Sequence, residues 1–135
     1  VSVEARALAE EILAAAGQTV WIEDEALMDA VTAVSGSGPA YFFLLMESMI
    51  EAAKRQGLPD AAARALVLNT ALGAARMAVD GGESPDVLRV RVTSPGGTTQ
   101  VALERFEAGG FRSLVDAAIT AATERGRELS AQFGG

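Results

Sequence analysis

The sequence has no cysteine and no histidine, and aromatic residues make up only 5% of its 135 positions. Without cysteine there is no disulfide, no zinc–thiolate centre and no thiol nucleophile. Without histidine there is no Ser-His-Asp chemistry, no imidazole-ligated metal and no histidine acid–base catalysis. Cationic groups are scarce too: 11 Lys and Arg face 18 Asp and Glu, for a net charge of −7, and Lys54 is the only lysine. Nucleic-acid binding relies on Lys and Arg to neutralise phosphates, so no nucleic-acid partner is expected. Long apolar runs are also missing. The longest uncharged one, Ala40 to Met46, is far short of the roughly 20 residues that span a membrane. Glu4, Arg6, Glu10 and Glu11 leave no apolar export segment near the start. The expectation is a cytoplasmic protein with no membrane partner.

Half of the residues are hydrophobic, and much of that share is alanine, with leucine and valine. Such a composition suits helices packed closely through small side chains, and the length suits one compact domain with a real core. No low-complexity segment or fixed-period repeat stands out.

Periodicity predicts helices along most of the chain. Val3 to Ala16 places Leu8, Ile12 and Leu13 on one face, and Gly17 is a stop signal. Gln18 to Glu23 is rich in β-branched and aromatic residues and reads as a strand. A lone strand leaves its backbone groups unpaired, so it calls for a sheet that this chain does not supply. Residues 1–24 therefore read as the last helix–strand unit of another domain. Helices are expected over Glu25 to Ser35, Ala40 to Gln56, Ala61 to Val79, Ser84 to about Val92, Thr99 to Ala108, and Phe111 to Phe133. The start of the second of these is apolar on nearly every side (Tyr41 to Met46), which assigns it to a larger core or to a subunit interface.

The turn Val92-Thr93-Ser94-Pro95-Gly96-Gly97-Thr98-Thr99 leads directly into an amphipathic helix. The first amides of a helix lack intrahelical acceptors and carry the positive end of the helix dipole, so such a turn offers an anion site for a carboxylate or phosphate. An ordinary helix–helix turn with a threonine cap is the alternative.

Other motifs carry less. Ser35-Gly36-Ser37-Gly38-Pro39 looks like half of a dinucleotide fingerprint, but that fingerprint follows a strand and here a helix precedes it. A helix junction is the better reading. Glu23, Asp24, Glu25 and Asp29 read as an acidic first helical turn rather than a metal site. Arg89, Arg91, Arg105 and Arg112 flank the anion turn, either raising the local potential or forming surface ion pairs. Tyr41 reads as a core or interface tyrosine with a capped hydroxyl, more than as a proton donor.

Taken together, two of these loops resemble one family. Asp29-Ala30-Val31-Thr32-Ala33-Val34-Ser35-Gly36-Ser37-Gly38-Pro39-Ala40-Tyr41 is similar to a signature of the pyrroline-5-carboxylate reductases. So is Val92 to Thr99, with Ala102-Leu103 and Gly110-Phe111-Arg112 following in the family's order and spacing. The resemblance covers essentially the whole chain. It implies an N-terminal Rossmann domain that binds NADPH or NADH, followed by an all-α bundle of the 6-phosphogluconate-dehydrogenase-C-terminal-like type. Residues 1–24 would be the residual helix–strand unit of the missing Rossmann domain, and 25–135 the helical dimerisation and substrate-binding domain. No strand–Gly-x-Gly-x-x-Gly–helix unit occurs in the sequence, so the chain alone is expected to be inactive.

The implied reaction is hydride transfer to the C=N carbon of 1-pyrroline-5-carboxylate, giving proline. By analogy, Ser94, Pro95, Gly96, Gly97, Thr98 and Thr99 form the substrate site, with Ser94 and the Gly96 and Gly97 backbone on the carboxylate. The Thr99 hydroxyl, at the ring nitrogen, is the catalytic group. A homodimer or higher homo-oligomer is implied. The related β-hydroxyacid dehydrogenases carry a lysine in a Gly-x-Gly-x-x-x-Lys pattern. Counting from Gly36, Phe42 occupies that place here. Alcohol oxidation needs an acid–base group there, whereas a protonated imine does not. The rival reading is a non-catalytic helical oligomerisation module.

Overall fold

The computed structural model describes residues 1–133, so the last two residues of the expected 25–135 helical domain lie outside the described residues. In order, it contains α1 (Val3–Ala14), a 3-10 turn (Glu25–Leu27), α2 (Met28–Val31), a π-helical turn (Thr32–Gly36), α3 (Gly38–Arg55), α4 (Asp60–Asp80), α5 (Pro85–Arg91), α6 (Thr98–Ala108) and α7 (Phe111–Phe133). The fold is all-α, as expected. Among the described residues no helix is long and apolar enough to cross a membrane.

Local chemistry explains the boundaries. The Ser2 hydroxyl accepts the Ala5 amide at 3.2 Å and caps α1. Pro39 and Pro85 stand in the first turns of α3 and α5, where a missing N–H costs nothing. At the end of α3 the Leu58 amide reaches Ala53 O and the Gly57 amide reaches Lys54 O, with Gly57 at φ 96°. That is a Schellman stop, and it needs a residue tolerant of positive φ.

Two expectations change. The strand at Gln18 to Glu23 does not form; the segment is irregular. With no neighbouring strand its backbone has no ladder to join, and side chains anchor it instead. Trp21 donates its indole N–H to Glu10, Arg6 lies 4.4 Å over the Trp21 ring, and Arg6 pairs with Glu23 at 3.0 Å. Nor is the helix over Glu25 to Ser35 uniform. It passes from 3-10 through one α-turn into a π-turn, closed by the Ser37 amide on Thr32 O at 2.8 Å.

The packing is open. α3 lies on α4 and α4 touches α5, while the α2–π unit packs on α7 and on α3, and α6 packs on α7. α1 packs on no other helix among the described residues. Among the described residues the buried ones are few and small: Ala33, Gly38, Ala63, Val67 and Thr123. Among the described residues no large side chain is fully buried, and Phe42, Phe43 and Leu44 each remain about 65% exposed. The accessible surface is 10588 Å² for 13.9 kDa. A compact monomer of that mass would expose about 6,700 Å². The difference of about 3,900 Å² is the core this chain does not supply from within itself.

Candidate functional site

The anion turn sits where α5 hands over to α6. The Thr93 amide closes on Val90 O at 3.0 Å, and the Thr93 hydroxyl donates to Arg89 O at 2.6 Å, ending α5. The Gly97 amide then donates to Ser94 O at 3.0 Å, and Gly96 has φ 70°. Proline second and a left-handed glycine third are the marks of a type II turn. Gly97 is the extended N-cap of α6, and a Cβ placed there would stand 3.1 Å from Ser94 O.

The turn brings Ser94, Pro95, Gly96, Gly97, Thr98 and Thr99 together, but assigns their donors differently from expectation. The Gly97 amide is held in the turn, and the Gly96 amide donates to Gln100 Oε1 at 2.7 Å. Within the turn, the donors with no partner among the described residues are the amides of Ser94 and, at the helix start, of Thr98, Thr99 and Gln100, with the hydroxyls of Ser94, Thr98 and Thr99. Ser94 and Thr98 are exposed, while Thr99 is half-buried. Three open amides at the first turn of an 11-residue helix form an anion-receiving end. Gln100 is the residue sequence reasoning missed. A Gln at the third helical position is a capping signal that was available to find it.

An open apolar cleft of about 980 Å³ lies between α3, α5, α6 and α7, lined by Leu45, Met49, Phe106, Phe111, Val115 and Ile119 among others. The turn residues 94–99 do not line it. Arg89 and Arg112 stand on its rim. Arg112 is committed to Glu107, with Nε 2.9 and 3.0 Å from the two carboxylate oxygens. That bond, first, holds the Glu107 carboxyl below its ordinary value. Arg91 pairs with Glu83. Two of the four flanking arginines are thus in surface ion pairs.

The remaining motifs resolve into structure. Ser35 to Pro39 is the end of the π-turn and the start of α3, and the Tyr41 hydroxyl donates to Ala33 O at 3.1 Å, capping a carbonyl of that turn. Asp24 caps the 3-10 turn by accepting the Ala26 amide, Glu23 pairs with Arg6, and Asp29 accepts the Ser130 hydroxyl from α7 at 3.2 Å. Those carboxylates point to separate partners. Lys54 bridges Glu51 at 3.0 Å and Asp60 at 3.1 Å, and these bonds, that to Glu51 first, raise its pKa. It joins α3 to α4 at the far end of the helix pair.

Comparison with known proteins agrees with the motifs. Residues 25–129 match the family described as pyrroline-5-carboxylate reductase dimerisation. The chain is 53% identical over 126 residues to the pyrroline-5-carboxylate reductase of Pseudomonas aeruginosa, covering 93% of this chain and 46% of that protein. It is 43% identical to the Haemophilus influenzae enzyme over 132 residues, covering 95% and 48%. The solved pyrroline-5-carboxylate reductase of Coxiella burnetii superposes with a TM-score of 0.92 at 46% identity, covering 96% of this chain and 48% of that one. The NADP-bound enzyme of Plasmodium falciparum gives 0.84 at 34% identity, covering 95% and 48%. The chain thus spans about half the length of the relatives it matches. This chain belongs to the pyrroline-5-carboxylate reductase family, within which residues 25–129 correspond to the dimerisation region.

Proposed function

We propose that this chain is the C-terminal part of a cytoplasmic oxidoreductase that reduces 1-pyrroline-5-carboxylate to proline with NADPH or NADH. In this reading residues 25–135 dimerise and bind the substrate carboxylate, and residues 1–24 belong to the nucleotide-binding domain. The start of the family match at residue 25 and the isolation of α1 from the other helices support that division. The observation that carries the site is the set of uncommitted amides at Thr98, Thr99 and Gln100 behind the type II turn. They donate to the carboxylate, with the Ser94 and Thr98 hydroxyls beside it, while Pro95, Gly96 and Gly97 set the shape of the turn.

The residues of this chain do not fit a dinucleotide. No Gly-x-Gly-x-x-Gly follows a strand, and Ser35 to Pro39 is the junction between the π-turn and α3. The cofactor therefore belongs to the part of the enzyme outside this chain. The present residues orient the substrate. A ring held by its carboxylate at the α6 N-terminus can present its nitrogen to the half-buried Thr99 hydroxyl. A protonated imine is already electrophilic, so fixing its orientation does much of the catalytic work, and no histidine or cysteine is needed.

The test is Thr99→Ala and Gly97→Val in the two-domain protein. Loss of a hydrogen bond to a charged group predicts a fall in kcat/KM of about 10- to 100-fold for Thr99→Ala. Gly97→Val drives a side chain into Ser94 O and raises KM. Near-normal turnover in both variants overturns the reading.

The exposed apolar surface of α3 and the excess accessible area also favour the oligomerisation role. The partner is a second copy, interlocked so that its helices cover the open cleft. Obligate interfaces of thousands of Å² are of the size the excess area requires. Sedimentation of the chain alone is expected to show a dimer or larger, and a dehydrogenase assay to show no turnover.

A further inference from the structure

Gln100 makes two bonds at once. Its Oε1 accepts the Gly96 amide at 2.7 Å, and its Nε2 donates to Glu104 Oε1 at 2.8 Å, one helical turn on. In a type II turn the amide of the third residue is left without a partner inside the turn, and Gln100 supplies one. A side-chain amide presents one acceptor and one donor end. Glu104, an acceptor only, fixes the donor end toward itself and so aims Oε1 at Gly96. Gln100 is half-buried, and it contributes its own backbone amide to the open set at the helix start.

We infer that Gln100 is a positioning residue for the carboxylate site: oriented by Glu104, it pins the Gly96 amide and thereby aims the Thr98, Thr99 and Gln100 amides at the substrate. The inference rests on the proposed substrate reading of this turn. Gln100 also stands as a neutral spacer between the Glu104 carboxylate and the anion. Its side chain need not touch the substrate. It holds the turn so that the order is already present when the carboxylate arrives, which lowers the entropic cost of binding.

The experiment is steady-state kinetics on the two-domain enzyme, with thermal melting of each variant. Gln100→Ala is expected to raise KM for 1-pyrroline-5-carboxylate about 3- to 10-fold, the scale of one neutral hydrogen bond, with kcat within about twofold. Glu104→Ala, at an exposed position, should raise KM in the same direction by less, since Gln100 remains but is free to flip. Gln100→Glu should raise KM most at neutral pH, through repulsion of the substrate. That excess should shrink as pH falls and the introduced carboxyl protonates, while the rise in KM at nearly unchanged kcat for Gln100→Ala is what a purely structural role would not produce. A fall in KM for Gln100→Ala would show that the side chain blocks the Gly96 donor, and overturns the inference. A lowered melting temperature with unchanged KM in both Gln100→Ala and Glu104→Ala also overturns it. If Thr99→Ala is crippled while both of these are silent in KM, only the role of Gln100 falls. If Thr99→Ala and Gly97→Val are themselves near normal, the site reading falls with it.

Discussion

A Cβ at Gly126, in the body of α7, would stand 3.0 Å from Asp29 Oδ1 and 3.2 Å from Asp29 Cβ. Glycine therefore sets how closely α2 lies on α7, and Asp29 uses that approach to accept the Ser130 hydroxyl. Two effects compete on substitution. Alanine gains up to about 1 kcal/mol of helix propensity, and the crowding against Asp29 removes some or all of it. A larger side chain gains similar propensity but meets the Asp29 side chain from its carboxylate down to Cβ, where overpacking costs about 1–3 kcal/mol. The expected result, by urea denaturation of the assembled protein, is a small change for Gly126→Ala and a clear loss of stability for Gly126→Leu. If Leu is tolerated as well as Ala, the close approach does not hold the two elements together. Nothing local in the sequence marks Gly126, because the residue it accommodates lies near the other end of the chain. The donors at Ser94 to Thr99 were legible as a group, since proline, two glycines and a helix start are local signals. Which amide is open was not, because that depends on the Gln100 side chain reaching back across a turn of helix.

Helix boundaries were readable where a single residue type decides them, as at Pro39, Gly57 and Pro85, and unreadable where partners decide them. Gln18 to Glu23 has strand composition, but strand pairing is a property of two segments and only one is here. The π-turn at Thr32 to Gly36 likewise has no periodicity of its own; it appears where the Ser37 amide reaches one residue further back than an α-helix allows. The joint between α6 and α7 shows a balance of the same kind. Glu107 stands at the C-terminal end of α6 and Arg112 in the first turn of α7, each at the end where the helix dipole disfavours its charge. Their bidentate pairing, with Arg112 Nη2 2.8 Å from Glu107 Oε1, offsets this. The Arg112 bond holds the Glu107 pKa below its ordinary value. A depressed folded-state pKa means that the pair's contribution is fully present above the ordinary glutamate value, and is lost as pH falls through the lower, folded one. In Arg112→Met the Glu107 carboxyl should titrate closer to its ordinary value, followed by carboxyl carbon NMR. The joint should also lose its extra acid sensitivity, seen as a smaller difference in α6 amide protection between neutral and acid pH. An unchanged Glu107 titration would assign its shift to something other than Arg112.

At the scale of the whole molecule, the decisive quantity is how little the chain buries. Ala33, Ala63 and Val67 are its buried hydrophobic residues among those described, and three small side chains cannot offset the conformational entropy of ordering more than a hundred residues. The all-round apolar start of α3 was legible in the sequence as needing a cover. The cleft between α3, α5, α6 and α7 was not, because it exists only once helices from distant parts of the chain are set side by side. If a second copy fills that cleft, folding and association are one equilibrium, and the melting temperature must rise with concentration. Each tenfold change in protomer concentration is worth about 1.4 kcal/mol, which for a dimer of this size moves the melting temperature by about 2–3 °C. A monomer shows no such dependence. The same logic singles out Val115, which lines the cleft and is 45% exposed in the single chain. In a free monomer, Val115→Lys is a surface change worth at most about 0.5 kcal/mol in either direction. Beneath a second copy it buries an unpaired ammonium, at a cost of several kcal/mol. The variant is therefore expected to sediment as a smaller species and to melt without a cooperative transition at concentrations where the parent is a folded dimer. A Val115→Lys protein that keeps the parent's mass and melting temperature would mean that the cleft stays open to water, and that the missing core must come from somewhere other than a second copy.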